Sequence, residues 1–503
     1  MGGRTARRRR GVTAMAQDRA GVTAETLASR RFGMADQIRF AVLSGDHNPM
    51  HLDAVAARRT LPGAPVVHGM HAVLWALDEL AKAGIVGGEL ASIRVQFRKF
   101  IHLDRLLDLK LVQRDGDTIA AELSLRGLVV ASLLLRNGPR EVDSGGFVIA
   151  GPEVSAPANV PNAPTLEQAA SLSGWLVPTA SKAELMRDFP HAARSLGAST
   201  VEELAALSRL VGMICPGLHS IFTGFSVNLT QAPAARAGLG FKVTMAHPRV
   251  RLINMDVAGR AFAGKVTSFM VAPPVAAPAM RTIAEKVGAQ DFAGSIALIV
   301  GGSRGLGAVT AKTIAAGGGR VVVTYARGRD DAVNLAAEIN AARGNAACTV
   351  LAYDSASSAA SQLAALTETV NTLYYFATPP IFQQTAEIFS AELFQTFSSV
   401  YLDGFYDVCR LVRSRSQAAT LAVFYPSSVA VEKRPAGLTE YSMAKMAGEA
   451  LCADMTAQLP GLRILTSRLP RVLTDQTNTI AQVENADAFA VMLPLIHAVH
   501  RLV

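Results

Sequence analysis

Cysteine is scarce in this 503-residue chain: Cys215, Cys348, Cys409 and Cys452 stand far apart, with no Cys-x-x-Cys pair and no paired histidine motif. That spacing excludes a disulfide framework and speaks against a structural zinc site, and it fits reduced thiols in a cytoplasmic protein without bound metal. Long hydrophobic runs are missing too. Half the residues are hydrophobic, yet no stretch approaches the roughly 18 to 20 uninterrupted apolar residues of a membrane span, and short runs such as 127–135 have the length of a strand. The chain also begins without the roughly 7–15-residue apolar core of a secretory signal. A soluble protein is expected.

Acidic residues are few at the start. Residues 1–31 hold Arg4, Arg7, Arg8, Arg9, Arg10, Arg19, Arg30 and Arg31 against Asp18 and Glu25, so this stretch carries +6 of the net +9 and the remainder only +3. The basic balance therefore belongs to a tail and not to a nucleic-acid-binding surface. Residues 1–33 read as a disordered basic tail, with Met15 or Met34 as alternative starts.

The length suits about three domains. Two Pro/Ala-rich stretches, at 156–164 and 272–280, have the composition of extended linkers and divide the chain into 34–150, 165–272 and 290–503. The first segment reads as a short helix, a loop, an apolar helix over 69–83 and strands at 92–100, 106–113 and 118–136. The second contains an echo of the first: Val66-Val67-His68-Gly69-Met70-His71-Ala72 returns weakly as Ile214-Cys215-Pro216-Gly217-Leu218-His219-Ser220. By that echo an apolar helix over 210–229 is expected, then strands at 240–245, 249–256 and 261–270. A long helix wrapped by an antiparallel sheet is the hotdog arrangement, and two in tandem, a double hotdog of α+β class, would bury their sheet edges against each other. The third segment alternates strands (296–300, 320–325, 347–353, 372–376, 420–425, 463–468) with helices, the pattern of a doubly wound, Rossmann-type parallel α/β sheet.

Near the start stands Ser44-Gly45-Asp46-His47-Asn48-Pro49-Met50-His51. Adding water across a C2=C3 bond conjugated to a thioester needs a base for the water, an acid to deliver the proton and donors for the enolate-like oxygen. Asp46 and His51 could meet at one water, and a helix starting at Gly69 would aim its free N–H groups and positive dipole end at the carbonyl. The stretch from Phe40-Ala41 through Ser44-Gly45-Asp46-x-Asn48-Pro49-x-His51-x-Asp53 to Val66-Val67-His68-Gly69-Met70 resembles the MaoC-like, (R)-specific enoyl-thioester hydratases. The resemblance implies Asp46 and His51 as the catalytic pair, the Gly69 amide as oxyanion donor and Asn48 as a loop-shaping residue. His68 and His71 read as helix-start and packing residues. Arg98-Lys99-Phe100-Ile101-His102-Leu103-Asp104 lacks the proline and glycine that the family usually has there. The second segment keeps Gly217 but no Asp-x4-His, and is expected to be a non-catalytic half whose apolar helix encloses the acyl tail.

Near the end, Gly301-Gly302-Ser303-Arg304-Gly305-Leu306-Gly307 follows a strand and opens a helix, placing glycines where backbone must approach a pyrophosphate. Together with Ser428 and Tyr441-Ser442-Met443-Ala444-Lys445 this resembles the short-chain dehydrogenase/reductase family over about 290–480. The resemblance implies Tyr441 as proton donor, Lys445 as its pKa-lowering partner and ribose ligand, and Ser428 on the substrate oxygen. It implies Gly301, Ser303, Arg304, Gly305, Leu306, Gly307, Arg327, Asp354 and Lys445 as cofactor-binding residues. Thr324-Tyr325-Ala326-Arg327 offers no carboxylate to a ribose 2′-OH, whereas Arg304 and Arg327 could clasp a 2′-phosphate, which favours NADPH over NADH. The chain departs from that family at Tyr375-Phe376-Ala377-Thr378-Pro379, at Tyr401, at Pro470-Arg471 and in lacking the last strand before Val503.

A 3-hydroxyacyl thioester is the compound both signatures could handle. The expectation is a bifunctional 3-oxoacyl-thioester reductase and (R)-3-hydroxyacyl-thioester dehydratase, of fatty-acid or polyketide type, acting on acyl-CoA or an acyl carrier protein and forming a homo-oligomer. Two alternatives stand beside it: the oxidative direction with NAD, and a chain in which one module has become an acyl-binding or dimerising scaffold.

Overall fold

The computed structural model describes residues 25–140, 149, 151–154, 159–179, 181–230, 237–382, 387–475, 477 and 484–503. Alternating side-chain burial builds the first sheet. In β4 (Thr118–Leu125), for example, Ile119, Ala121 and Leu123 face the core while Thr118, Ala120 and Glu122 lie half out of it. The other strands of the N-terminal part are β1 (Glu25–Arg31), β2 (Leu90–Phe97), β3 (Leu106–Asp115) and β5 (Leu128–Asn137). The middle part supplies β6 (Ser173–Leu176), β7 (Ser220–Leu229), β8 (Leu239–His247), β9 (Leu252–Gly259) and β10 (Phe262–Met270). All ten form one sheet, ordered β1-β3-β4-β5-β2-β7-β10-β9-β8-β6, with every pairing antiparallel. The two parts are joined at β2 and β7, where Ile93 lies opposite Val227 and Val95 opposite Phe225.

Four helices carry the N-terminal motif: α1 (Met34–Ser44), α2 (Pro49–Leu52), α3 (Ala54–Ala57) and α4 (Gly69–Lys82). Helix α4 is apolar nearly all round, and its residues Met70 to Leu77 are buried, as befits a helix enclosed within a core. It packs against the helix Ala198–Arg209 of the middle part, and both contribute to one core with the inner face of the sheet.

Three expectations fail here. Residues 25–31, assigned to the tail, are β1, paired with β3 from Glu25 opposite Leu111 to Arg31 opposite Leu106; residues 1–24 lie outside the described residues. The stretch 118–136 is a hairpin, reversed at Arg126 and Gly127 with φ of 48° and 84°. The helix expected over 210–229 does not exist. A π-helical turn, Leu210–Ile214, ends the helix that began at Ala198, Pro216 and the left-handed Gly217 (φ 77°) prevent continuation, and 220–229 is strand β7. The second long helix thus precedes its glycine, so the echo of 66–72 in 214–220 does not continue into equivalent structure.

The C-terminal part is a six-stranded parallel sheet of β11 (Ile296–Val300), β12 (Arg320–Tyr325), β13 (Cys348–Ala352), β14 (Thr372–Tyr375), β15 (Leu421–Ser428) and β16 (Leu462–Leu469), ordered β13-β12-β11-β14-β15-β16. This is the doubly wound order whose switch point between β11 and β14 opens a crevice for a ligand. Helices cover both faces and make a separate core on each. The two sheets are tied by Arg58 and Arg59 to Asp331 and by Arg105 and Arg126 to Glu392.

The junction of β2 and β7 has no room at Gly224, where an added Cβ would run into the carbonyl oxygen of Val95. Gly224→Ala is therefore expected to cost about 1–3 kcal/mol, the usual range for overpacking, read as a lower thermal midpoint. An unchanged midpoint would contradict a continuous sheet at this point.

Candidate functional site

Helix α1 ends at the left-handed Gly45 (φ 74°), whose N–H donates to Ala41 O at 2.8 Å, and this reversal turns Asp46 into the interior. Pro49 then starts α2 with its φ already helical, and Asn48 caps it by accepting from Met50 N at 3.0 Å. The next turn brings His51 back beside Asp46. Both side chains are buried, at 2% and 7% exposure. Asp46 Oδ2 accepts from Ser208 Oγ at 2.7 Å and Oδ1 from Asn48 N at 3.2 Å. His51 Nδ1 sits 2.8 Å from Val66 O; a carbonyl only accepts, so Nδ1 carries the proton and Nε2 the lone pair. Burial pushes the Asp46 carboxyl above its ordinary range, opposed by His51 and the Ser208 hydroxyl. Burial likewise lowers His51, opposed by Asp46. Burial thus disfavours both charges, while each member of the pair favours the charge of the other.

Asn48 Nδ2 donates to Gly212 O at 2.9 Å and Gly217 O at 3.3 Å, fastening the motif loop to the middle part. Gly212 is obligatory, since a Cβ there would collide with the Asp46 carboxylate. The middle part therefore reaches Asp46 directly through Ser208 and Gly212, beyond the tail-enclosing role expected of it. Neither was visible in sequence, because Ser208 sits in an ordinary amphipathic helix with no motif around it. Gly69 opens α4 with His68 as N-cap. His68 N and Nδ1 both lie 2.9 Å from Gln37 Oε1, Nε2 lies 3.0 Å from Asp46 O, and its ring stacks on His51 at 3.8 Å. His71 stacks on Phe40 at 4.6 Å. The unusual 98–104 segment is held in place: Arg98 N donates to Val130 O at 2.8 Å and Val67 N to Ile101 O at 2.8 Å. Asp46, His51 and Gly69 line a cavity of about 960 Å³ whose wall also includes Pro380, Phe382 and Leu393 of the C-terminal part.

At the other site, Gly301 (φ 75°) and Gly305 (φ 56°) need left-handed backbone. A Cβ on Gly301 would lie 2.8 Å from Ala377 N, and one on Gly307 would strike Gly301 O. With Ser303 and Leu306 between them, they start the twelve-residue helix Gly305–Ala316. That cradle, with helix N–H groups facing it, fits a dinucleotide pyrophosphate. Arg304 Nη1 donates to Asp475 Oδ2 at 3.0 Å and to Arg58 O at 2.9 Å, so the partner found beside it is Arg58 of the N-terminal part. Arg327 is exposed just past β12, and Asp354, exposed beyond β13, accepts from Ala356 N at 3.0 Å in a local turn.

Ser428 ends β15, and the helix Thr439–Gln458 presents Tyr441 and Lys445 one turn apart. The Tyr441 hydroxyl is raised by burial and partly restored by its hydrogen bond with Ser428. Lys445 Nζ donates to Pro426 O at 2.7 Å and stands 3.8 Å from the centre of the Tyr401 ring. Tyr401 itself sits in a π-helical turn, Ser399–Gly404, with its hydroxyl bonded to Thr378, while Tyr375 donates to Val400 O at 2.7 Å. The departures at Tyr375, Thr378 and Tyr401 thus form one connected set, in which an aromatic face supports the lysine by a cation–π contact.

Residues 295–484 match the short chain dehydrogenase family and residues 13–127 the MaoC like domain. A curated relative, an (R)-specific enoyl-CoA hydratase of Aeromonas caviae, is 37% identical over 100 residues, 20% of this chain and 66% of that protein. Among solved structures, a short chain dehydrogenase from Salmonella enterica shares 16% identity at a TM-score of 0.38, covering 42% of this chain and 91% of that one. An alternative dihydrofolate reductase from Brucella canis complexed with NADP shares 19% at 0.33, covering 37% and 75%. Among the described residues no helix is long and apolar enough to cross a membrane.

Burial lowers the Lys445 ammonium to about 7 from about 10.4 in an unfolded chain. Between those values the unfolded chain binds a proton that the folded one does not, so this residue makes stability rise with pH and withdraws that gain as pH falls toward 7. Denaturant unfolding at pH 6.5 and 9.5 is expected to show a larger gain in the unmodified protein than in Lys445→Met. Equal gains would place the lysine charge in water.

Proposed function

Because the chain joins a MaoC-like domain at 13–127 to a short-chain dehydrogenase domain at 295–484, we propose a bifunctional enzyme that interconverts 3-oxoacyl, (R)-3-hydroxyacyl and trans-2-enoyl thioesters. NADPH is its reductant, and it works in the direction of reduction followed by dehydration. The observation that carries this reading is the cavity of about 960 Å³ lined both by the Asp46–His51 pair and by Pro380, Phe382 and Leu393 of the dehydrogenase part. An acyl group housed there lies against both modules.

The chemistry follows from the side chains. In dehydration, one member of the Asp46–His51 pair takes the acidic C2 proton and the other protonates the departing C3 hydroxyl; hydration is the reverse. Ser208 and Asn48 hold the Asp46 carboxylate in position, and the Gly69 N–H with the positive end of α4 receives the charge that builds on the thioester oxygen. In the reductase, Tyr441 donates a proton to the 3-oxo oxygen, Ser428 holds that oxygen, and the Lys445 cation favours the tyrosinate that remains. NADPH, when bound, supplies the hydride. Arg31, Arg98, Lys99 and Arg105 line the same cavity and suit the phosphates of a coenzyme A or carrier-protein arm. The ten-stranded sheet with its two long helices is read as a double hotdog, the N-terminal half bearing the acid/base pair and the middle half supporting it.

Asp46→Asn is expected to lower crotonyl-thioester hydration about 100-fold or more while leaving NADPH-dependent reduction of an acetoacetyl thioester intact, and the alcohol it accumulates should be the (R) epimer. Chiral chromatography of that product decides the matter. An (S) alcohol would mean that the two modules share no intermediate.

A further inference from the structure

Arg58 follows His51 by seven residues, at the end of α3, yet its guanidinium lies outside the cavity, against Gly328. Gly328 closes the turn after β12, and in a doubly wound sheet this is where the adenosine ribose of a dinucleotide is recognised. A Cβ at Gly328 would overlap the Arg58 guanidinium, so the glycine leaves that space to a side chain from the other domain. Arg58 pairs there with Asp331, which Arg59 also meets, and its carbonyl holds Arg304, itself paired with Asp475. Burial, helped by the charges of Arg304, Arg59 and Arg327, lowers the Arg58 guanidinium to about 10 despite Asp475. Arg58, Arg59 and Arg304 thus share two carboxylates, and Arg327 adds its charge beside them. The side chains of Arg58 and Asp331 are only 13% and 15% exposed, so the surplus positive charge is poorly screened by water.

We propose that Arg58, supplied by the hydratase domain, binds the 2′-phosphate of NADP and completes the arginine cluster begun by Arg304 and Arg327. A phosphomonoester brings up to two negative charges and three acceptor oxygens to a guanidinium fork, and it takes over from Asp331 as partner of Arg58. The cofactor site of the reductase is then finished by a residue at the end of α3, the helix that follows the one carrying His51. This rests on the NADPH reading above.

The experiment is calorimetric titration of the full chain with NADPH, NADH, 2′,5′-ADP and 5′-AMP, for the unmodified protein, Arg58→Ala, Arg58→Gln and Asp331→Asn, with thermal midpoints as a check on folding. The unmodified protein is expected to bind NADPH more tightly than NADH and 2′,5′-ADP more tightly than 5′-AMP. Either arginine variant should lose about tenfold or more for NADPH and 2′,5′-ADP, the scale of a charge-assisted hydrogen bond, with NADH and 5′-AMP changed less than twofold. Asp331→Asn, which removes the competing carboxylate, should leave NADPH binding equal or tighter. Equal losses for NADPH and NADH, or an Asp331→Asn variant that loses NADPH as Arg58→Ala does, would reduce Arg58 to a domain clip. A preference of the unmodified protein for NADH would overturn the NADPH reading and this assignment with it. Should Arg58→Ala fail to fold, Arg58→Gln and Asp331→Asn still decide between phosphate ligand and clip.

Discussion

A carboxylate cannot be taken out of water without partners, and the N-terminal half of the structure is arranged around that constraint at Asp46. Isolated burial of such a charge costs several kcal/mol or more. The carboxylate of Asp46 receives the Ser208 hydroxyl and the Asn48 amide, and Asn48 is itself tied to Gly212 O. Ser208 and Gly212 come from another part of the chain, and they reach Asp46 only because β7 lies beside β2 and carries the helix that precedes it over the motif loop. The ten-stranded sheet is thus the means by which a motif of eight consecutive residues obtains its missing hydrogen-bond donor. A MaoC-like half separated from its neighbour would leave a buried carboxylate short of a partner.

The C-terminal half faces the same problem with the opposite sign. Lys445 is buried with one carbonyl, Pro426 O, and two aromatic rings about it. The ring of Tyr401 replaces hydration by its quadrupole, a weaker substitute than a second oxygen, and the ammonium accordingly titrates near 7. A group so poised responds strongly to any oxygen-rich ligand placed beside it, because one new acceptor restores much of the charge that burial has weakened.

The two motif loops and the alternating C-terminal pattern were readable because their signals are local. Gly45, Pro49 and Gly301 impose backbone turns by themselves, and short apolar runs such as those of β11 and the first part of β15, alternating with helical stretches, are the mark of the core of a parallel sheet. The region 210–229 was not readable in the same way. Leu-Val-Gly-Met-Ile and Ile-Phe-Thr-Gly-Phe are both short apolar runs that fit helix or strand, and the echo of 66–72 in 214–220 favours helix there. Strand β1 was hidden by its arginines: Arg30 and Arg31 raise the charge of the tail while their backbone pairs with β3. An edge strand carries such charge without cost on its exposed side. Ser208 and Arg58 lie furthest from legibility, since each acts across a contact more than a hundred residues away in sequence.

Those long-range contacts bear on why two modules share one chain. The pairs of Arg105 and Arg126 with Glu392 are largely exposed, and such pairs contribute little individually. They would not hold separate proteins together at cellular concentrations. Covalent linkage raises the effective concentration of one domain at the other to the millimolar range, at which weak polar contacts suffice to keep Pro380, Phe382 and Leu393 against the cavity that holds Asp46 and His51. The interface can therefore remain polar and adjustable instead of being a dry apolar seam, and a surface of that kind can be lined on one side by the cavity of Asp46 and His51 and on the other by a cluster of arginines. Tight hydrophobic docking would have closed both.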